Sequence, residues 1–428
     1  MLTTLLPART AIRWARATFL EGLAGLSHGH LTLVTADRTY WFGVADAELR
    51  ATMIVHDDRF FLRALAENDI GIGESYMAGE WTTPDLVSLA RLMLRNQMVL
   101  ERQGGLSRAV HRLAGVVARR LRDNTIDGSR EHIHRHYDLG NEFFRLFLDT
   151  HHLMYSCGFY ESPGDSLEQA QEQKIDRICQ RLNLQPGDRV LEIGTGWGGF
   201  AAWAATRYGV DITTTTISAE QFRHARDLFA GLGEAGSRIR LLQEDYRRLT
   251  GQFDKIVSIE MFEAVGLKHY DDYFAAVDRL LTPHGTVLLQ TITVDEQWFP
   301  YYTQHPDWIE KYIFPGGQLA SIGEMLKSLA RCTSLSLYHA ENIGTHYART
   351  LHAWRERFHR HLPEVRAMGF DEPFIRMWDL YLGYCEAAFV ERHAGDFQVV
   401  LAKNGTAATL FNEPWQQPAP AAASYAVA

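Results

Sequence analysis

The chain has 428 residues, enough for two domains with full cores, and its 46% hydrophobic and 22% charged residues exclude a disordered or fibrous protein. A formal net charge of -9 argues against general nucleic-acid binding, which leans on a positive field to neutralise phosphates, and against a wholly electrostatic hold on an anionic bilayer. No apolar run approaches the length of a membrane span.

At the N-terminus Arg9, Arg13 and Arg16 interrupt the apolar residues, which is unlike a secretory signal. Four scattered cysteines, Cys157, Cys179, Cys332 and Cys385, form no Cys-x-x-Cys pair and no metal-ligand spacing. Both observations point to a cytosolic protein with reduced thiols, able to touch a membrane. Residues 1–125 read as a small α+β domain, with alternating strands in His30–Thr35 and Thr39–Gly43 and helical stretches at Phe60–Asn68 and Leu86–Leu100. It carries no chemical cluster, so a structural or substrate-delivery role is expected. Arg102, Arg108, Arg112, Arg119, Arg120 and Arg122 then flank an apolar stripe of Leu106, Val110, Leu113 and Val117. Such a helix suits either a phospholipid surface or a neighbouring domain, and both readings stand.

From 126 to 405 strands alternate with helices, which implies a parallel sheet with crossover helices. Strands are expected at 189–194, 210–216, 238–243, 253–260, 285–292, 334–340 and 397–403. Ligands of such sheets sit beyond the carboxyl ends of the strands. Glu192–Gly198, Thr216–Gln221, Glu244–Tyr246, Glu260–Glu263 and Gln290–Thr293 should therefore meet in one crevice. A helical insertion at 347–393 brings Trp354, Phe358, Phe374, Trp378, Tyr381, Tyr384 and Phe389, to line an apolar tunnel or to pack the insertion on the sheet. Residues 406–428, rich in Ala and Pro, read as a disordered tail.

The most informative stretch is Val190–Gly199, an apolar strand followed by the turn Gly194, Gly196, Gly198 and a helix. Glycines admit backbone angles closed to other residues and let a ligand approach the main chain. A dinucleotide site wants an acid about twenty residues further on for a ribose. After the second strand this chain offers Thr216, Ser218 and Gln221 instead. Glu192 precedes the glycines, as in the Glu/Asp-x-Gly-x-Gly-x-Gly turn that binds S-adenosylmethionine (SAM). Thr216 and Ser218 suit a helix cap as well as a ligand.

Further strings follow in order: His136–Asn141, Tyr155–Gly158, Thr216–Gln221, Met261–Gly266, Lys311–Gly317 and Asn342–Tyr347. Together they closely resemble the cyclopropane-fatty-acyl-phospholipid synthase family, which includes the mycolic acid cyclopropane synthases. The resemblance spans nearly the whole second domain and is loose in the first. It implies a seven-stranded Rossmann-like SAM methyltransferase domain joined to the smaller N-terminal α+β domain. It also implies delivery of a SAM methyl group to the double bond of a phospholipid acyl chain, at the inner face of a membrane. The alkene is then the nucleophile, and the protein must orient an apolar chain, exclude water and hold a base.

The family's base is a bicarbonate ion. By this resemblance Cys157 and Tyr347 fall in its pocket, Glu263 orients it, and Cys385 is a second cysteine near the site. Tyr155, Ser156, Glu192, Gly194 and Gly196 would meet SAM, with Thr216, Ser218 and Gln221 toward the ribose and Asp245 or Tyr246 at the adenine. One position departs from the best-known pattern, Leu-His-Thr-Ile, where the histidine binds bicarbonate; this chain has Gln290. An amide exchanges hydrogen bonds but carries no charge and moves no proton as imidazole does. Ring closure therefore competes with a methylene- or methyl-branched product. A lipid-binding protein with a relic methyltransferase domain is the alternative of another class, and the sequence leaves a homodimer open.

Overall fold

The computed structural model describes residues 8–97 and 139–403. The basic stripe of Arg102–Arg122, the start of the His136–Asn141 string and the 406–428 tail lie outside the described residues.

In the N-terminal part, β1 (His30–Val34), β2 (Thr39–Gly43), β3 (Arg50–Val55) and β4 (Trp81–Thr82) form a sheet in the order β2-β1-β3-β4. β1 pairs antiparallel with β2 and parallel with β3. Ala51, Met53 and Val55 alternate inward along β3, and with Leu31 and Leu33 they meet Phe60, Phe61, Trp81, Leu89 and Leu92 in one core. Helix Ala8–Leu23 and strands β3 and β4 go beyond the elements expected here. Helix Arg59–Met77 does not stop near Asn68: that residue takes φ 51, and the helix resumes after the kink. The next helix runs from Leu86 to Arg95, with Asp85 capping it by accepting from the Ser88 amide.

The second sheet has seven strands: β5 (Arg189–Ile193), β6 (Asp211–Thr215), β7 (Ile239–Leu242), β8 (Phe253–Ile259), β9 (Leu281–Val294), β10 (Leu335–Asn342) and β11 (Ala394–Lys403). Their order is β10-β11-β9-β8-β5-β6-β7. β5 to β9 pair parallel, while β11 runs antiparallel between β9 and β10. Each strand falls where the apolar runs placed it, β9 and β11 starting a few residues early. From β5 the chain first builds outward through β6 and β7, then crosses back to β8 and β9. The β5–β8 boundary is thus the topological switch point, where ligands of open α/β sheets sit.

Between β10 and β11 come helices Gly344–Arg360, Leu362–Ala367 and Glu372–Val390. The N-terminal part docks on the last of these. Tyr76 Oη donates to Asp379 at 2.7 Å, and Arg91 and Arg95 each reach Glu391 at 2.6 Å. Glu74 accepts from Lys311 and Tyr312, both at 2.6 Å. The Trp308 ring lies over Gly73, where an added β-carbon would stand 2.3 Å from it.

Candidate functional site

The glycine turn follows β5 directly. Gly194, Gly196 and Gly198 have φ of 103°, 53° and 93°, a region that L side chains rarely occupy. A β-carbon on Gly194 would press on Met261 at 3.1 Å and one on Gly198 on Phe229 at 2.8 Å, whereas at Gly196 nothing lies within 4 Å. The turn is thus packed at both ends and open at its middle, a cradle that fits the methionine end of SAM. SAM would supply an electrophilic methyl group there.

Glu192, on β5, is buried and its Oε2 accepts from Thr214 Oγ1 at 2.5 Å; Thr214 also bonds Thr195 at 2.7 Å. Burial pushes its carboxyl up to about 8, against the hydrogen bond from Thr214. A carboxyl held neutral by the fold gives stability that is fully present below its ordinary value near 4.5 and lost as pH rises through about 8. Glu192→Gln should therefore flatten the decline in stability across that window, as read by denaturant midpoints at successive pH values. An unchanged slope would show that other groups set it.

At the end of β6, Thr216 Oγ1 donates to Gln221 Oε1 at 2.9 Å, and Ser218 caps helix Ala219–Ala230 by accepting from the Gln221 amide. These three side chains thus already serve one another as a cap. Asp245 caps the turn Tyr246–Arg248 and grips Arg247 at 2.6 Å. Burial pushes this carboxyl up, but the Arg247 bonds outweigh it and hold the acid below the usual range. Tyr246 packs edge-on against Tyr273 at 5.4 Å.

Across the switch point, the Tyr155 ring lies 5.3 Å from both Phe144 and Trp354, and its hydroxyl bonds that of Tyr381 at 3.0 Å. Ser156 Oγ accepts from the buried Lys174 at 2.7 Å. Lys174 occupies the apolar face of helix Leu167–Arg181, between Ala170 and Ile178, and burial pushes its ammonium down to about 8. The Cys157 thiol is fully buried, donates to the Gly158 carbonyl at 3.2 Å and is pushed well up by burial. It is a neutral thiol rather than a nucleophile.

The pocket expected for bicarbonate is built around a residue to which sequence reasoning gave no role. Glu260 follows β8 with φ 47. Its Oε1 accepts from the Cys157 amide and from Gln290 Nε2, both at 2.8 Å, and its Oε2 from Tyr347 Oη at 2.7 Å. Sheet register explains the grouping: Gln290 on β9 pairs with Ile259 on one side and Gln398 on the other. Gln398 donates to Gln290 Oε1 at 3.1 Å, and the second Gln290 donor goes to Asp396 at 2.9 Å. Glu263 stands beside this set, its Oε1 accepting from Thr291 at 3.0 Å and the Ile292 amide at 2.5 Å. Its Oε2 is enclosed without a partner, and burial with the nearby Glu260 charge pushes this acid up to about 8.

Cys157, Gln290 and Tyr347 therefore meet at Glu260, with Glu263 adjacent. Cys385 is partly buried on helix Glu372–Val390, its thiol pushed up by burial and by Asp307; among the described residues it takes no part in the bonds around Glu260. The signal that marks Glu260 in sequence is an acid at the strand end, coinciding with Gln290 where a histidine was expected. Lys174 is marked as a cation on an apolar helix face.

Bicarbonate does not fit this pocket as expected. An amide and a phenol each hold one proton, and the Gln290 amide two. All are spent on Glu260 and Asp396. A further anion would also enter beside three carboxyl groups, which opposes its charge.

The aromatic insertion divides between packing and lining. Trp354, Phe358, Trp378, Tyr381 and Phe389 join Phe143, Phe144, Phe147 and Trp197 in one core. Phe374, Met377 and Trp378 line a cavity of about 270 Å³ with Leu139, Tyr312 and Ile313. Tyr384 is instead more than a third exposed.

Residues 125–399 match the family model for mycolic acid cyclopropane synthetase. The chain is 38% identical over 389 residues to the tuberculostearic acid methyltransferase UfaA1 of Mycobacterium tuberculosis, covering 89% of each chain. It is 40% identical over 368 residues to the cyclopropane-fatty-acyl-phospholipid synthase of Escherichia coli, covering 84% of this chain and 89% of that one. The crystal structure of the mycolic acid cyclopropane synthase CmaA1 complexed with SAH and CTAB superposes with a TM-score of 0.60 at 31% identity, covering 64% of this chain and 98% of the other. With its seven-stranded sheet and glycine turn, the chain belongs to the mycolic acid cyclopropane synthetase family of SAM-dependent enzymes.

Proposed function

We propose that the protein is a C-methyltransferase that moves a one-carbon unit from SAM to the double bond of an unsaturated phospholipid acyl chain and closes a cyclopropane ring. The observation that carries this reading is the carboxylate pocket at the switch point, walled by Tyr347, Trp354 and the aromatic core. The Cys157 thiol in that pocket is buried and neutral, which fits direct transfer to an alkene with no covalent protein intermediate. Aromatic walls keep out water that would trap a carbocation, and their faces favour positive charge. The cavity beside Trp378 lies against the same aromatic core and offers apolar walls to an acyl chain.

The substrate reading places the enzyme at a bilayer surface. No helix among the described residues is long and apolar enough to cross a membrane, and the N-terminal part leaves Trp14 and Trp41 more than half exposed. Tryptophan favours the headgroup layer.

A branched product is the second reading, favoured by Gln290 and by the methyltransferase name of the Mycobacterium tuberculosis relative. Incubation with monounsaturated phospholipid vesicles and methyl-labelled SAM, followed by mass spectrometry and NMR, decides between them. Ring-proton signals on a labelled acyl chain are the expected result. Label confined to a methylene or methyl branch would replace ring closure by the second reading.

A further inference from the structure

We propose that the side-chain carboxylate of Glu260 is the base of this site, taking the place of a free bicarbonate ion. The inference rests on the acyl-chain reading above and departs from the family's expected cofactor.

Three donors converge on the two oxygens of Glu260 at 2.7–2.8 Å: the Cys157 amide, the Gln290 amide nitrogen and the Tyr347 hydroxyl. These are the groups the family resemblance assigned to bicarbonate. A carboxylate and bicarbonate share the same planar pair of oxygens, so one satisfies donors placed for the other. Glu260 is covalently fixed, and no ion needs to be captured and held. Its left-handed backbone, strained for a non-glycine residue, is of the kind that persists where the surroundings over-determine a position. The Glu260 amide donating to the Gln290 carbonyl at 2.8 Å ties that conformation to β9.

Exposure and charge single out Glu260 from its neighbours. Asp396 and Gln290 are fully enclosed, whereas Glu260 is only partly buried. Burial pushes both Glu260 and Asp396 upward, but the Tyr347, Cys157 and Gln290 bonds and the Lys174 charge oppose this at Glu260. Asp396 has Lys174 to oppose it but also the Glu260 and Glu263 charges against ionisation. The proton accordingly settles on Asp396 and the negative charge on Glu260. Gln290 then has a clear purpose: lacking a titratable proton, it donates to both acids and competes for neither.

The step balances. Methyl transfer consumes the alkene π pair and leaves a carbocation one carbon away. An oxygen of Glu260 takes a proton from the added methyl carbon, and the freed C–H electron pair forms the third ring bond. The same oxygen taking a proton from a neighbouring chain carbon would leave a double bond and a branch. Glu260 ends protonated and passes its proton to solvent before the next turnover.

The test uses the full-length protein with labelled SAM and unsaturated vesicles. In buffer stripped of carbon dioxide, the wild-type rate should be unchanged when bicarbonate is restored. Glu260→Ala should keep SAM affinity by calorimetry and lose turnover by about a hundredfold or more. Formate, acetate or bicarbonate should then recover about tenfold by filling the vacated carboxylate site. A wild-type enzyme that stops without bicarbonate, or a Glu260→Ala enzyme that turns over normally, overturns the proposal. If no labelled lipid forms at all, the acyl-chain reading fails, and binding of ¹³C-bicarbonate followed by NMR judges the pocket alone. Binding to the Glu260→Ala protein only supports the proposal, and any other pattern overturns it.

Discussion

Gly196→Val should weaken SAM binding by at least about a hundredfold, equivalent to some 3 kcal/mol, while leaving the fold standing. Two effects are separable. The φ of 53° suits glycine and opposes a β-branched residue, at a cost of about 1–3 kcal/mol. The new side chain also projects into the open middle of the turn, where no protein atom lies within 4 Å and the ligand needs room. Because nothing there touches the β-carbon, the unfolding midpoint should fall only by that backbone strain, and the loss of calorimetric SAM affinity should come from the obstructed ligand space. Gly196→Ala should fall between wild type and valine. Equal SAM affinity in all three proteins would remove this turn from the binding site.

Trp378→Ala should destabilise the protein by about 3–5 kcal/mol. The indole is 1% exposed, and its ring lies 4.8 Å from Phe143, 5.6 Å from Phe147 and 5.4 Å from Tyr381. These contacts cannot collapse onto alanine together, because the partners sit on different elements. The loss includes the transfer energy of a large side chain and the cost of the void it leaves. Denaturant unfolding should show a lower midpoint at an unchanged slope. A midpoint shift below about 1 kcal/mol would mean that the aromatic core closes over the gap.

The strands of the second sheet were legible chiefly because apolar runs such as Arg189–Ile193 and Phe253–Ile259 are bounded by turns and alternate with helical periodicity. The glycine turn was legible because its spacing demands special backbone angles, and Gly194, Gly196 and Gly198 adopt them. β3 was missed although Ala51, Met53 and Val55 alternate, because the run is brief and lies beside the loop after Gly43. The sequence pattern also stopped helix Arg59–Met77 near its kink at Asn68. Within the site, Cys157, Gln290, Tyr347 and Glu263 are named by the resemblance. Glu260, Asp396 and Lys174 were not given roles, since their meeting depends on pairing between β8, β9 and β11 and on a helix face beneath them. A backbone angle such as that of Glu260 leaves no trace in residue type.

The helix Glu372–Val390 belongs to two cores at once. Leu380 packs on both the N-terminal core and the aromatic core, with Asp379 turned to Tyr76 and Trp378 to Phe143. The two parts of the chain are consequently not interchangeable modules. A shortened protein beginning after the first part would bare one side of the helix whose other side lines the cavity beside Trp378.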